Sequence, residues 1–255
     1  MNMDHDLLSA IQRSDLHWLE ANASQMSADW RKFVHSKSGD TALHVAASAG
    51  CTQVLGWLLS QGLGPPCLEQ QNAQVIKFCR GIERIELDGG KEVVIRILLS
   101  RGNYSTDEAD ACGNTPLLEA LRMGHRNIAE LLIIEHNASV YAKDKTGRMG
   151  IHVAAEAGQG QVVKFLLASH GVDVNLLSET GLSAMHSAAK EGHTALVEML
   201  AEQGCKVNTQ DENGRTALWL ACSAQRTACI KVLLKLGAQD IGDKNGILPS
   251  QLMPF

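Results

Sequence analysis

Aromatic side chains are scarce in this chain, making up 4% of its 255 residues. A core built on Phe and Trp is therefore excluded. Apolar packing must come from Ala, Leu, Val and Ile, which suits thin helical layers set close together. Long apolar runs are missing as well. No stretch approaches the roughly 18 residues that a membrane span needs. The start, Met-Asn-Met-Asp-His-Asp, lacks the basic and apolar parts of a signal peptide. Positive charge is not in excess, since 23 Lys and Arg face 28 Asp and Glu for a formal charge of −5. Basic residues are scattered rather than gathered, so a mixed-charge surface is expected, with no direct nucleic-acid contact. The cysteines (Cys51, Cys67, Cys79, Cys112, Cys205, Cys222, Cys229) show no Cys-x-x-Cys pair and no metal-type spacing. Free thiols in a reducing compartment, cytosol or nucleus, are the expectation.

Signatures of catalysis are also absent. There is no Gly-x-Ser-x-Gly elbow and no Gly-x-x-x-x-Gly-Lys phosphate loop. Gly158-Gln-Gly160 reads as a turn between helices. No enzyme, no cofactor and no metal site is expected.

What the chain does have is one phrase repeated. Asp211-Glu-Asn-Gly-Arg-Thr-Ala-Leu-Trp-Leu-Ala-Cys222 joins a turn signal to a small-residue helix. Variants begin at Ser38, Asp110, Asp144 and Glu179, and a second apolar helix follows each in turn. The turn glycines Gly113, Gly147, Gly181, Gly214 and Gly246 lie 34, 34, 33 and 32 residues apart. A period near 33 residues with a Thr-Pro-Leu-His-like phrase resembles the ankyrin family across nearly all of residues 38–252. That resemblance implies an all-α solenoid of helix-turn-helix units with β-turn fingers.

The organisation follows from the phrase. Residues 6–37 form an N-terminal cap in which Leu7, Leu8, Ile11, Leu16 and Leu19 recur at helical spacing. Regular repeats occupy 38–66, 110–143, 144–177, 178–210 and 211–242, and 243–255 is a truncated C-terminal cap. Outer helices are expected at Val54–Leu59, Asn127–His136, Gln161–Ser169, Ala195–Gln203 and Thr227–Leu236, with short extended runs such as Val172–Asn175 after them. Residues 67–109 hold an interrupted repeat. Its outer helix is Glu92 to Gly102, but 67–91 reads either as a degenerate helix or as a β-hairpin around Asp88-Gly89-Gly90.

Histidine recurs at fixed places in the phrase. His44, His152 and His186 share one position, and His125 and His193 follow the glycine that ends the inner helix. Such periodicity points to a structural task, an imidazole bridging a hydroxyl or carbonyl of the adjoining turn. Binding is assigned instead to the concave face, where a solenoid presents turn residues and the ends of its inner helices. The side chains placed there are Lys37, Asp40, Asn114, Arg122, Met123, Lys145, Arg148, Glu156, Glu179, Lys190, Glu191, Glu212 and Arg215. Their mixed signs favour a protein partner over a polyanion, and a monomeric chain is expected. Trp219, standing where other repeats have His, reads either as a hot spot or as packing against the next repeat.

A narrower likeness lies in the C-terminal fillers: Gly171-Val-Asp-Val-Asn175, Ala188-Ala-Lys-Glu-Gly-His-Thr194, Val207-Asn208 before Asp211-Glu-Asn213, Ala217-Leu218, Leu220-Ala-Cys222 and Asp243 to Leu252. They are similar to a branch of the ankyrin family that binds alanyl-tRNA synthetase and captures misactivated serine on lysine side chains. The likeness implies the synthetase as partner and a part in translational fidelity. The branch's acceptor lysines belong to central repeats that have no counterpart around 67–91. None can be carried over to a position in this sequence.

Overall fold

The computed structural model describes residues 3–22, 42, 45–46, 49, 51–61, 109 and 112–253. The alternatives for 67–91, the outer helix expected from Glu92 to Gly102, and the site residues Lys37 and Asp40 lie outside the described residues. The chain divides into two compact units, Met1–Asp110 and Ala111–Phe255.

In the first unit, helix α1 (Met3–Gln12) turns into α2 (Leu16–Asn22), and α3 (Thr52–Ser60) packs on α2. The i, i+4 pair Leu7 and Ile11 and the α2 residue Leu19 are buried with Ala42, Ala46, Val54, Leu55 and Leu58. Trp18 and Trp57 lie half-buried against that core. Ser14, in the left-handed region at φ 57°, makes the tight turn and donates its hydroxyl to Cys51 Sγ at 2.6 Å.

The second unit is a stack of helix pairs. Inner helices α4 (Pro116–Arg122), α6 (Gly150–Glu156), α8 (Ala184–Glu191) and α10 (Ala217–Ser223) pack in succession, and the short α12 (Pro249–Leu252) closes the row. Outer helices α5 (Arg126–Ile134), α7 (Gly160–His170), α9 (Thr194–Glu202) and α11 (Thr227–Lys235) form the second layer. Their ends fall within two residues of the ranges expected from the sequence.

Local chemistry starts each inner helix. Thr115 Oγ1 accepts the Leu118 N–H at 3.3 Å, and Pro116 fills the first helical position, where its missing N–H costs nothing. Thr216 caps Trp219 in the same way at 3.2 Å. The helices stop where a left-handed residue is needed, as at Gly192 with φ 91°. Between start and stop the phrase leucines go inward: Leu117 is 1% exposed and Leu218 0%. Full burial of each contributes roughly 2 kcal/mol.

One expectation needs correcting. Val172–Asn175 is not extended; Asp173 Oδ1 accepts the Asn175 N–H at 2.9 Å and its carbonyl accepts Leu176 N–H at 3.1 Å, closing a turn. The local Asx bond outcompetes the β preference of the two valines.

Candidate interaction surface

Among the described residues, each finger from Asp144 onward is folded by one polar side chain. Asp144 Oδ1 accepts the backbone N–H of Thr146 at 2.8 Å and of Arg148 at 3.0 Å. Its own N–H donates to the Arg148 carbonyl at 2.9 Å. Asp211 repeats the arrangement with Asn213 and Arg215, all three bonds at 2.9 Å. Ser178 achieves it with a hydroxyl, which accepts the Leu182 N–H at 3.1 Å. Burial alone would raise the Asp144 and Asp211 carboxyls. The hydrogen bonds from Thr146 and Arg148, and from Arg215 and Asn213, outweigh it and hold both below the ordinary carboxylate value.

Successive fingers are then tied backbone to backbone. Lys145 N–H donates to Cys112 C=O at 3.1 Å, Glu212 to Thr180 at 3.1 Å, and Lys244 to Asn213 at 2.9 Å. The position after each finger Asp or Ser thus lies in a row along the fingers. Its side chains, Lys145, Glu179, Glu212 and Lys244, are exposed.

The residues expected on this face divide into two groups. Most charges are satisfied inside the unit. Arg122 grips the buried Glu119. Arg148 links Asp144 at 2.9 Å to Glu156 at 2.6 Å, so it braces the finger against the end of α6. Arg215 pairs with Asp211 at 2.7 Å and lies 5.6 Å above the Trp219 ring. Glu191 takes Lys190 at 3.5 Å and Arg226 at 3.7 Å, and exposed Glu179 takes Lys143 at 3.1 Å. Asn114 and Met123 are half-buried, and the Met123 N–H ends α4 on the Glu119 carbonyl at 3.0 Å. Lys145 and Glu212 form the other group, having no ion pair among the described residues.

His152, His186 and His193 bridge repeats, as their periodicity suggested, whereas His44 lies outside the described residues. His152 Nδ1 accepts the Met149 N–H at 3.2 Å, which puts the ring proton on Nε2, and Nε2 donates to Leu176 C=O at 3.0 Å. His186 makes the same pair of bonds with Ser183 N–H at 3.1 Å and Arg215 C=O at 3.0 Å. His193 Nε2 donates to Glu156 C=O at 2.9 Å. Trp219 resolves toward packing, since its indole N–H donates to Ile247 C=O at 3.0 Å.

Helix, finger and bridge therefore recur as one unit in the repeats that begin at Asp144, Ser178 and Asp211. A model described as Ankyrin repeats (3 copies) matches residues 151–245, and one described as Ankyrin repeat matches 38–72 and 112–145. Together these matches cover more than half of the chain. The chain belongs to the ankyrin-repeat family. Its stack carries a second set of clamps that the sequence reading missed. Asn175 donates to Gly204 C=O at 3.4 Å and accepts Lys206 N–H at 2.8 Å. Asn208 does the same one ankyrin repeat later, with Gly237 at 3.2 Å and Gln239 at 2.8 Å. The shared Val-Asn filler was the available signal.

Other chemistries find little purchase. Burial pushes the Cys205 and Cys222 thiols up to about 11, so both stay protonated at neutral pH. Among the described residues no group of three or more His, Cys, Asp or Glu could hold a metal ion, and no helix is long and apolar enough to cross a membrane.

Proposed function

We propose that this ankyrin-repeat chain is a protein-interaction module of the cytosol or nucleus whose contact surface is the finger row, with Lys145 and Glu212 as its available charges. Ankyrin repeats are protein-binding architecture, and the single observation supporting this choice of residues is their exposure without an internal ion pair. Arg148 and Arg215 act instead as braces that hold the fingers in register. The fillers between 171 and 252 resemble those of ankyrin repeat domain-containing protein 16, which points to alanyl-tRNA synthetase as the partner and to translational fidelity as the role. Titration calorimetry of the full chain with the synthetase tests this. Lys145→Glu and Glu212→Lys are expected to weaken binding by about tenfold each with helicity unchanged. Absence of heat with the unmodified chain removes the synthetase as partner.

A second reading rests on the free amine of Lys145. Once deprotonated, that amine attacks the carbonyl of an aminoacyl adenylate, an amide forms and AMP leaves. Mass spectrometry after incubation with synthetase, ATP and serine checks it: an unmodified Lys145 eliminates this role for that residue.

A further inference from the structure

The finger face is internally neutralised for the most part, whereas one recurring position on the outer helices is not. One position per outer helix carries Glu130 on α5, Lys164 on α7, Glu198 on α9 and Lys231 on α11, each 34, 34 and 33 residues after the last. Neighbouring outer helices pack side by side, so these four form a row across the layer. None has an ion-pair partner among the described residues. The signs alternate: minus, plus, minus, plus.

One turn further along each helix, an i+3 step on the same face, stands an apolar row of Ile133, Leu167, Ala201 and Leu234. Leu234 is 46% exposed, and Ile134 beside the row is 62% exposed. A charged row that alternates without internal pairing, edged by unburied aliphatic side chains, is an unusual use of a solvated helix layer.

We propose that this outer-helix layer is a docking surface for a second copy of the chain. The sign order selects both the occupant and the symmetry. A two-fold axis parallel to the helices, between α7 and α9, reverses the order of repeats and keeps the height along each helix. Glu130 then faces Lys231 of the other copy, and Lys164 faces its Glu198, so four opposite-charge pairs form. The same operation sets Ile133 against Leu234 and Leu167 against Ala201. A two-fold axis along the stack would instead place each charge opposite itself, and repulsion excludes it. The dimer departs from the monomer expected from the sequence. It uses neither Lys145 nor Glu212, so it stands or falls independently of the partner reading.

Sedimentation equilibrium of the full chain at low salt, over about 1 to 300 μM, tests the proposal. A monomer–dimer equilibrium that weakens with added salt is expected. Glu130→Lys and Lys231→Glu should each raise the dissociation constant by about tenfold, because each puts like charges in contact. The double variant Glu130→Lys with Lys231→Glu should restore it to within about threefold. Circular dichroism of each variant confirms an intact fold. A monomer throughout this range, or a double variant no better than the worse single one, overturns the proposal. A partner other than a second copy would show as monomeric chain whose complexes alone respond to these substitutions.

Discussion

Trp219 does for the last inner-helix step what His186 does for the one before it. Both stand fourth in the phrase, and both donate a ring N–H to the carbonyl of the next finger at 3.0 Å, His186 to Arg215 and Trp219 to Ile247. The indole cannot titrate and cannot accept, so it keeps only the bond that crosses between repeats.

Replacing either ring should loosen its own step. His186→Ala leaves the buried Ser183 N–H without its partner and removes one of the two bonds to the Arg215 carbonyl, which keeps the Asp211 N–H, at a cost of about 1–3 kcal/mol. Trp219→Ala should cost about 2 kcal/mol, through the lost N–H donor and the lost contact with Arg215. Urea denaturation of the full chain measures both.

Acid should destabilise the stack in two stages. Burial holds His152 and His186 below the ordinary value of 6.5, against the pull of the Leu176 and Arg215 carbonyls. The Arg148 and Arg215 charges lower them further, and Asp211 opposes this at His186. A depressed pKa means that the fold favours neutral imidazole. Its contribution is full above 6.5 and is lost as pH falls through and below that value. Asp144 and Asp211 are also depressed, so their contribution is full above 3.8 and is lost only below it. Denaturation midpoints from pH 7.5 down to 3 should show a first decline near the histidine range and a second in the carboxylate range. His186→Gln should shrink the first. A flat profile between pH 7.5 and 5 would refute the bridging role.

Two left-handed glycines separate strain from collision. Gly171 has φ 61° and open space where a Cβ would stand, whereas at Gly158, with φ 73°, the added Cβ lies 2.7 Å from the His193 ring. Gly171→Ala should cost about 1 kcal/mol for the backbone alone. Gly158→Ala should cost more, because it also displaces the imidazole that holds Glu156 C=O. Equal losses in thermal melts would show that the ring moves aside freely.

Core packing sets the largest single loss. Leu117→Ala and Leu218→Ala each empty a fully buried place between inner helices and should cost roughly 2–5 kcal/mol. Equilibrium unfolding followed by circular dichroism reads this, and a loss below about 1 kcal/mol would mean the cavity collapses.

What the sequence determined by itself was the repeating helical frame. Thr115, Ser183 and Thr216 before small apolar residues, glycines at a period near 33, and leucines at helical spacing specify the elements and their order, because caps, left-handed turns and amphipathic faces are local chemistry. The histidine bridges were legible for the same reason, as one residue type at one place in the phrase. Only the tertiary structure decided which charges are free. Arg148 and Arg215 look as available in the sequence as Lys145, yet their guanidinium groups are drawn onto Asp144, Glu156 and Asp211, whose carboxylates are placed by the finger turns. Spacing along the chain gives the face of a helix but not the partner across a turn. That is why the fold could be read directly, and why the surface had to be built atom by atom.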